Sequence, residues 1–267
     1  MLTLSSCFYI MKSKFEPTIY ISWMQNFLSI VNEFYLVIYT DKNSFPYIPK
    51  KYLQNPKIKV ILKELTEFYN YQYKDAWIRN HDKNYLLKDR SCWELNMLWC
   101  EKVWFVNDTH ENKYFDTEFY GWCDIGYFRS RENDTPLSLL SHWGKMNPIL
   151  EDCCRKKIVY GCINNSGEVK YIMKLVNLKN PSGLPKIPIP PTQNTISGGF
   201  FIIHKEQVAW WANTFDLKLK IYFENHSLVK DDQIILVDCI FSAMDKFHLF
   251  VEQHSRLDNW FMFQRIL

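Results

Sequence analysis

The chain has 267 residues, of which 47% are hydrophobic and 17% aromatic. That composition excludes a disordered polymer and supplies ample core for an enzyme. The formal net charge is +3 with acids interspersed among the bases and no Lys/Arg block, which excludes a nucleic-acid partner but leaves room for a mildly basic cleft that takes phosphates.

Residues 2–10 read as a strand ending at the polar turn Lys12-Ser13-Lys14. This apolar start lacks a basic leader and a small-residue cleavage site, so no signal peptide is expected. Pro17 suits a first helical turn, and Ile19, Trp23, Phe27 and Val31 follow at about helical spacing. Residues 34–39 form a second apolar run, closed by Thr40-Asp41-Lys42, and residues 58–62 a third. Residues 64–89 read as loop with short helices. Ser91 and Glu94 have the spacing of a capping box before a helix through Leu95, Leu98, Trp99 and Val103. Further strands are expected at 119–124, 158–162, 200–204 and 247–251, and helices at 205–225 and 231–244. Residues 180–195 hold five prolines and read as a long loop. The tryptophans at 93, 99, 104, 210 and 211 fall on helical patterns and are expected mostly in the core. The pattern predicts one α/β domain over residues 1–267, with a mostly parallel central sheet flanked by helices.

No run of about 18 apolar residues exists, so no transmembrane segment is expected. The eight cysteines contain no C-x-x-C pair, and no histidine spacing completes a zinc motif. They read as reduced thiols of a cytoplasmic protein.

Four places carry candidate chemistry. Asp124 ends the buried run Phe119-Tyr-Gly-Trp-Cys-Asp124, with Gly126 and Arg129 just beyond. A carboxylate there is costly without a partner, and ligands of open α/β sheets collect at strand carboxyl ends. Asp124 either holds a cation or donor, or pairs with Arg129 to tie down a loop. Asp41 either accepts hydrogen bonds from a ribose or base edge, or is a turn residue. Ser197-Gly198-Gly199 opens an apolar strand and gives backbone room beside a sugar or phosphate, or is only a tight turn. Asp231-Asp232-Gln233 precedes an apolar run: an ordinary helix start, or carboxylates placed to bind sugar hydroxyls or act as a base.

The order of these features resembles GT-A-type (Rossmann-like) nucleotide-sugar transferases, and more closely the HtrL/YibB family of glycosyltransferases. The residues that carry the resemblance are Glu94-Leu95, Trp99, Lys102, Asn112, Phe115, Thr117, Phe119 and above all Trp122-Cys-Asp-Ile-Gly-Tyr-Phe-Arg129. Phe8-Tyr9, Lys14-Phe15, Tyr20, Trp23-Met24 and Phe27-Leu28 also look like that family, and the resemblance spans about residues 5 to 240. Ser197-Gly-Gly199 and Asp232-Gln233 are similar to segments of glycogenin-like transferases, where Asp-Gln lies beside the donor sugar.

The resemblance implies transfer of a sugar from a nucleotide-sugar donor to a glycan or other hydroxyl acceptor. Donor contacts fall to Asp41, Lys102, Asp124, Arg129, Ser197, Gly198, Gly199 and Gln233. Asp231 or Asp232 is the base if the reaction inverts; if it retains configuration, Asp232 orients the sugar. Mn²⁺ or Mg²⁺ is the expected cofactor, with Asp124 and His254 as ligands. The chain departs from metal-using members in having no Asp-x-Asp: Trp122 and Gly126 flank Asp124 at that spacing. The alternative reading is a non-catalytic carbohydrate- or nucleotide-binding protein on the same scaffold.

Overall fold

The apolar runs expected as strands are strands, and all of them enter one sheet. In a computed structural model, which describes residues 1–252 and 256–267, the elements follow in chain order. They are β1 (Leu2–Phe8), α1 (Pro17–Ser29), β2 (Phe34–Thr40), β3 (Ile58–Leu62), α2 (Lys74–Lys83), α3 (Trp93–Glu111), β4 (Phe119–Cys123) and α4 (Pro148–Lys156). Then come β5 (Ile158–Cys162), α5 (Ser166–Asn177), β6 (Ile196–His204), α6 (Val208–Glu224), α7 (Asp232–Ser242), β7 (Phe247–Val251) and α8 (Phe263–Ile266).

The sheet has the order β3-β2-β1-β4-β6-β5-β7. Neighbours are parallel except at β6, which runs antiparallel to both β4 and β5. The mostly parallel sheet expected from the sequence is therefore present, with one reversed strand near its centre. Crossover helices cover both faces, which is why β1, β4, β5 and β6 are buried along their whole length. One face packs under α3, α6 and α7 around Phe105, Trp122, Tyr160 and Trp211. The other packs under α1, α4 and the C-terminal segment around Phe27, Phe34, Trp143 and Phe200. Two polar side chains of β1 pair internally: Thr3 Oγ1 lies 2.8 Å from Thr117 Oγ1, and Ser5 Oγ 2.7 Å from Thr109 Oγ1. Gly121 is required where β4 meets β6, because a Cβ there would lie 2.3 Å from the Phe201 carbonyl oxygen.

Several expectations change. Ser91 forms no capping box: its hydroxyl donates to the Leu87 carbonyl at 3.0 Å, and Cys92 is the N-cap residue of α3 without a side-chain bond to the helix's own N–H groups. The hydroxyl is taken by the preceding turn before it can serve the helix. Helices α4 and α5 lie outside the segments expected to be helical, yet each carries a local start signal. Asn147 accepts from the Leu150 N–H ahead of Pro148, and Asn165 accepts from the N–H groups of Gly167 and Glu168. Trp104 and Trp211 are buried as expected, whereas Trp93 and Trp99 are half-buried and Trp210 is exposed. Residues 180–195 form a loop, joined by the bridge Lys179–Pro185 to the segment just after α5. Among the described residues, no helix is long and apolar enough to cross a membrane.

Candidate active site

Reversing β6 has a direct effect on the site. The carboxyl ends of β1 and β4 and the amino end of β6 arrive at one sheet edge, side by side. A cavity of about 490 Å³ opens there, lined among others by Lys14, Lys102, Asp124, Arg129, Gly198 and Asp232. It is the position that strand-end chemistry favours in open α/β sheets.

Asp124 follows the last residue of β4. Its backbone N–H continues the ladder to the Gly199 carbonyl at 2.9 Å, and its own carbonyl accepts from Tyr127 N–H at 2.9 Å. Trp122 lies two residues earlier, on the same strand face, and its indole N–H donates to Asp124 Oδ1 at 2.6 Å. Trp122, one of the two residues that flank Asp124 at Asp-x-Asp spacing, thus orients its carboxylate. Asp232 opens α7 and is buried.

Between the two acids stands Lys102, carried by the central helix α3. Its Nζ lies 3.1 Å from Asp124 Oδ1 and 3.1 Å from Asp232 Oδ2, and donates to the Gly198 carbonyl at 2.8 Å. Burial works against the Lys102 charge, but Asp124 and Asp232 together outweigh it and hold its pKa above the usual lysine range. Burial raises the Asp232 pKa to about 6; Lys102 draws it down, and the negative charges of Asp231 and Asp124 push it up. Gly198 leaves space for this carboxylate, because a Cβ there would lie 2.7 Å from Asp232 Oδ2.

Asp231 also lines the cavity but is tied to a second ammonium. Its Oδ2 pairs with Lys230 Nζ at 2.9 Å, and its buried Oδ1 has no hydrogen-bond partner. Gln233 lines the cavity, and its side-chain amide donates to the Ile196 carbonyl at 2.7 Å, tying α7 to β6. Arg129 does not pair with Asp124. Its Nε donates to the Gly126 carbonyl at 3.0 Å, and its guanidinium lies over Trp23 at 4.4 Å and Phe261 at 4.9 Å. Among the described residues it forms no ion pair, so an aromatic cradle fixes the cation at the cavity wall.

Two expected donor contacts are not brought to the cavity. Asp41 lies on the same sheet edge but does not line the cavity, and its Oδ1 accepts from the Ser44 N–H at 2.6 Å, the turn arrangement. Ser197 is buried with its hydroxyl 3.3 Å from the Trp260 carbonyl, so only the two glycines after it face the cavity. His254, expected as a metal ligand, lies outside the described residues. His248 packs on Phe250 in β7 and does not line the cavity.

Mn²⁺ and Mg²⁺ prefer hard oxygen ligands that are free to bind. Here Asp124 and Asp232 share one ammonium and Asp231 pairs with another. No group of three or more His, Cys, Asp or Glu side chains that could hold a metal occurs among the described residues. Among the described residues, which do not include His254, the three carboxylates are thus engaged by ammonium groups.

Sequence reasoning missed the asparagines behind the site. Asn84 and Asn96 Nδ2 donate to the Lys230 carbonyl at 2.9 and 3.0 Å, and Asn80 exchanges two bonds with the Val229 backbone. They fix the irregular approach to α7, and hence where Asp232 emerges. Each sits in a different local setting, more than a hundred residues from its partner, so no spacing could reveal them.

These features define an α/β fold with a mostly parallel seven-stranded sheet and a cavity at its strand ends. No family model matches the chain, and no curated protein matches it. Among solved structures, mouse xyloside xylosyltransferase 1 in its apo form is similar, with a TM-score of 0.51 at 11% identity, covering 93% of this chain and 84% of that chain. At that identity the likeness speaks for the fold alone.

Proposed function

We propose that the chain is a glycosyltransferase that moves a sugar from a nucleotide-sugar donor to a hydroxyl acceptor, in line with the resemblance to the HtrL/YibB family. The observation that carries this reading is the Asp124–Lys102–Asp232 bridge, set in a cavity at the carboxyl edge of a sheet whose architecture is shared with a sugar transferase. The donor's bond from anomeric carbon to phosphate oxygen breaks, and its electron pair leaves with the nucleoside diphosphate. The acceptor oxygen bonds to that carbon, and its proton passes to a carboxylate.

Asp232 is the group suited to take the proton. Its raised pKa brings it close to working pH, where a base is most effective. Lys14, Lys102 and Arg129 line the same cavity and meet the charge that develops on the diphosphate. Asp124 faces the cavity with its side chain 41% exposed.

A panel of nucleotide sugars, UDP-xylose among them, tests the proposal through slow donor hydrolysis, run beside Asp124→Asn. One donor should be turned over by the wild type and not by the variant. Tight donor binding with no turnover would favour a non-catalytic binding protein.

A further inference from the structure

We propose that Lys102 is the resident cation of this site, standing where a divalent metal would otherwise bridge Asp124 and Asp232, so that the chain works without one. The inference rests on the transferase reading for its catalytic meaning, but its structural content stands alone. An ammonium has three protons to donate. Around Lys102 Nζ there are three acceptors, Asp124 Oδ1 at 3.1 Å, Asp232 Oδ2 at 3.1 Å and the Gly198 carbonyl at 2.8 Å. The Gly198 contact is a hydrogen bond and the two carboxylate contacts are ion pairs, and the three come from different elements: the start of β6, the end of β4 and the start of α7.

This arrangement is built into the fold. Lys102 lies on α3, whose residues from Leu95 to Val106 are almost all buried. The preceding residue, Glu101, is itself buried and accepts the N–H groups of Tyr69 and Asn70, at 2.6 and 3.0 Å. The helix therefore cannot rotate to withdraw the lysine without breaking those bonds. A metal bound to either carboxylate would face a buried like charge at close range. To enter between them it would have to expel the ammonium and leave it without acceptors in a buried position. A second acid beside Asp124 is thus supplied from α7, and a cation from α3 stands between the two.

The consequence for chemistry is a fixed point charge beside the cavity. It holds both carboxylates in place and leaves the diphosphate to be met by organic cations, Lys102 with Lys14 and Arg129. An ammonium needs no metal exchange and no chelation step.

Mn²⁺ titration, read by the electron paramagnetic resonance signal of the free ion, tests this on wild type, Asp124→Asn, Lys102→Met and Lys102→Arg. Wild type should bind Mn²⁺ no better than Asp124→Asn. Lys102→Met, which frees both carboxylates, should bind it about tenfold tighter or more, a difference of about 1.4 kcal/mol. Lys102→Arg, which keeps the charge, should resemble wild type. In the donor assay, EDTA should leave wild-type turnover unchanged, and Lys102→Met should lose about 10²–10³-fold. One Mn²⁺ bound by wild type and lost in Asp124→Asn, or turnover abolished by EDTA and restored by Mn²⁺, would overturn the proposal. If Lys102→Met does not fold, the comparison of wild type with Asp124→Asn still decides. If no donor is turned over under any condition, the transferase reading falls, while the Mn²⁺ titration still decides the role of the lysine.

Discussion

Replacing Asp232 by asparagine should make the protein less active and, above pH 6, more stable. The side chain is buried, and its pKa is raised from 3.8 to about 6, first by desolvation and then by Asp231 and Asp124, against the pull of Lys102. An acid whose folded pKa lies above its unfolded one favours the fold when protonated. Below the unfolded pKa that contribution is fully present. As pH rises through the folded pKa it is lost, because the native state must then hold a poorly solvated charge. A shift of this size corresponds to roughly 3 kcal/mol at about 1.4 kcal/mol per unit. The asparagine side chain has nearly the same shape, cannot ionise, and can turn its carbonyl oxygen towards Lys102. Wild type and Asp232→Asn should therefore unfold alike near pH 4 and diverge in favour of the variant between pH 4 and 7, by less than that figure because the variant also gives up an ion pair that holds Lys102 charged. Urea denaturation followed by tryptophan fluorescence at a series of pH values measures this. Donor turnover should move the other way: wild-type activity should fall below pH 6 with a single proton, and the variant should lose about 10²–10⁴-fold. Parallel pH–stability curves, or a variant weaker than wild type at pH 7, would refute the claim that burial rather than the Lys102 pair governs Asp232.

Three further outcomes are expected. Asp232→Ala should lose far more activity than Asp231→Ala, with Gln233→Ala between them, since Asp231 turns to Lys230 and Gln233 to the Ile196 carbonyl; comparable small losses would reduce the segment to a helix start. Gly198→Ala places a Cβ 2.7 Å from Asp232 Oδ2 and should cut turnover at least about tenfold through displacement of that carboxylate, while circular dichroism stays native. Asn96→Ala removes one of two donors to the Lys230 carbonyl, Asn84 keeping the other, and should cost about 0.5–1.5 kcal/mol in denaturant unfolding.

The sequence is most informative where the signal is local. Buried strands in a parallel sheet are near-continuous apolar runs, so β2, β4 and β5 are legible as such, and so is the acid that ends β4. The glycines at 198 and 199 and the acid at 232 are also visible as punctuation before apolar runs. What cannot be read is who faces whom. Asp41 and Asp124 end strands in the same manner, yet one closes a turn onto Ser44 and the other enters the cavity. Lys102 looks like one more basic residue on a helix, because its three partners come from distant parts of the chain. Ser91 has the right spacing for a cap but spends its hydroxyl on Leu87. An Asp-x-Asp would put the second acid on the same strand, whereas the fold brings it from the start of α7.

The reversed strand β6 also makes the site intolerant of misregistration. Phe200 lies opposite Cys123, so the two glycines before it fall beside Asp124 and Asp232. If β6 slid by two residues along β4 with its facing unchanged, Phe200 and Phe201 would arrive where those glycines stand, and an aromatic ring would occupy the space kept for two carboxylates and an ammonium. Slippage by one residue would instead turn the strand's whole apolar set over. Assembly of the binding edge is thus proofread by sheet formation itself, and a chain that pairs β6 wrongly during folding cannot present a half-working site.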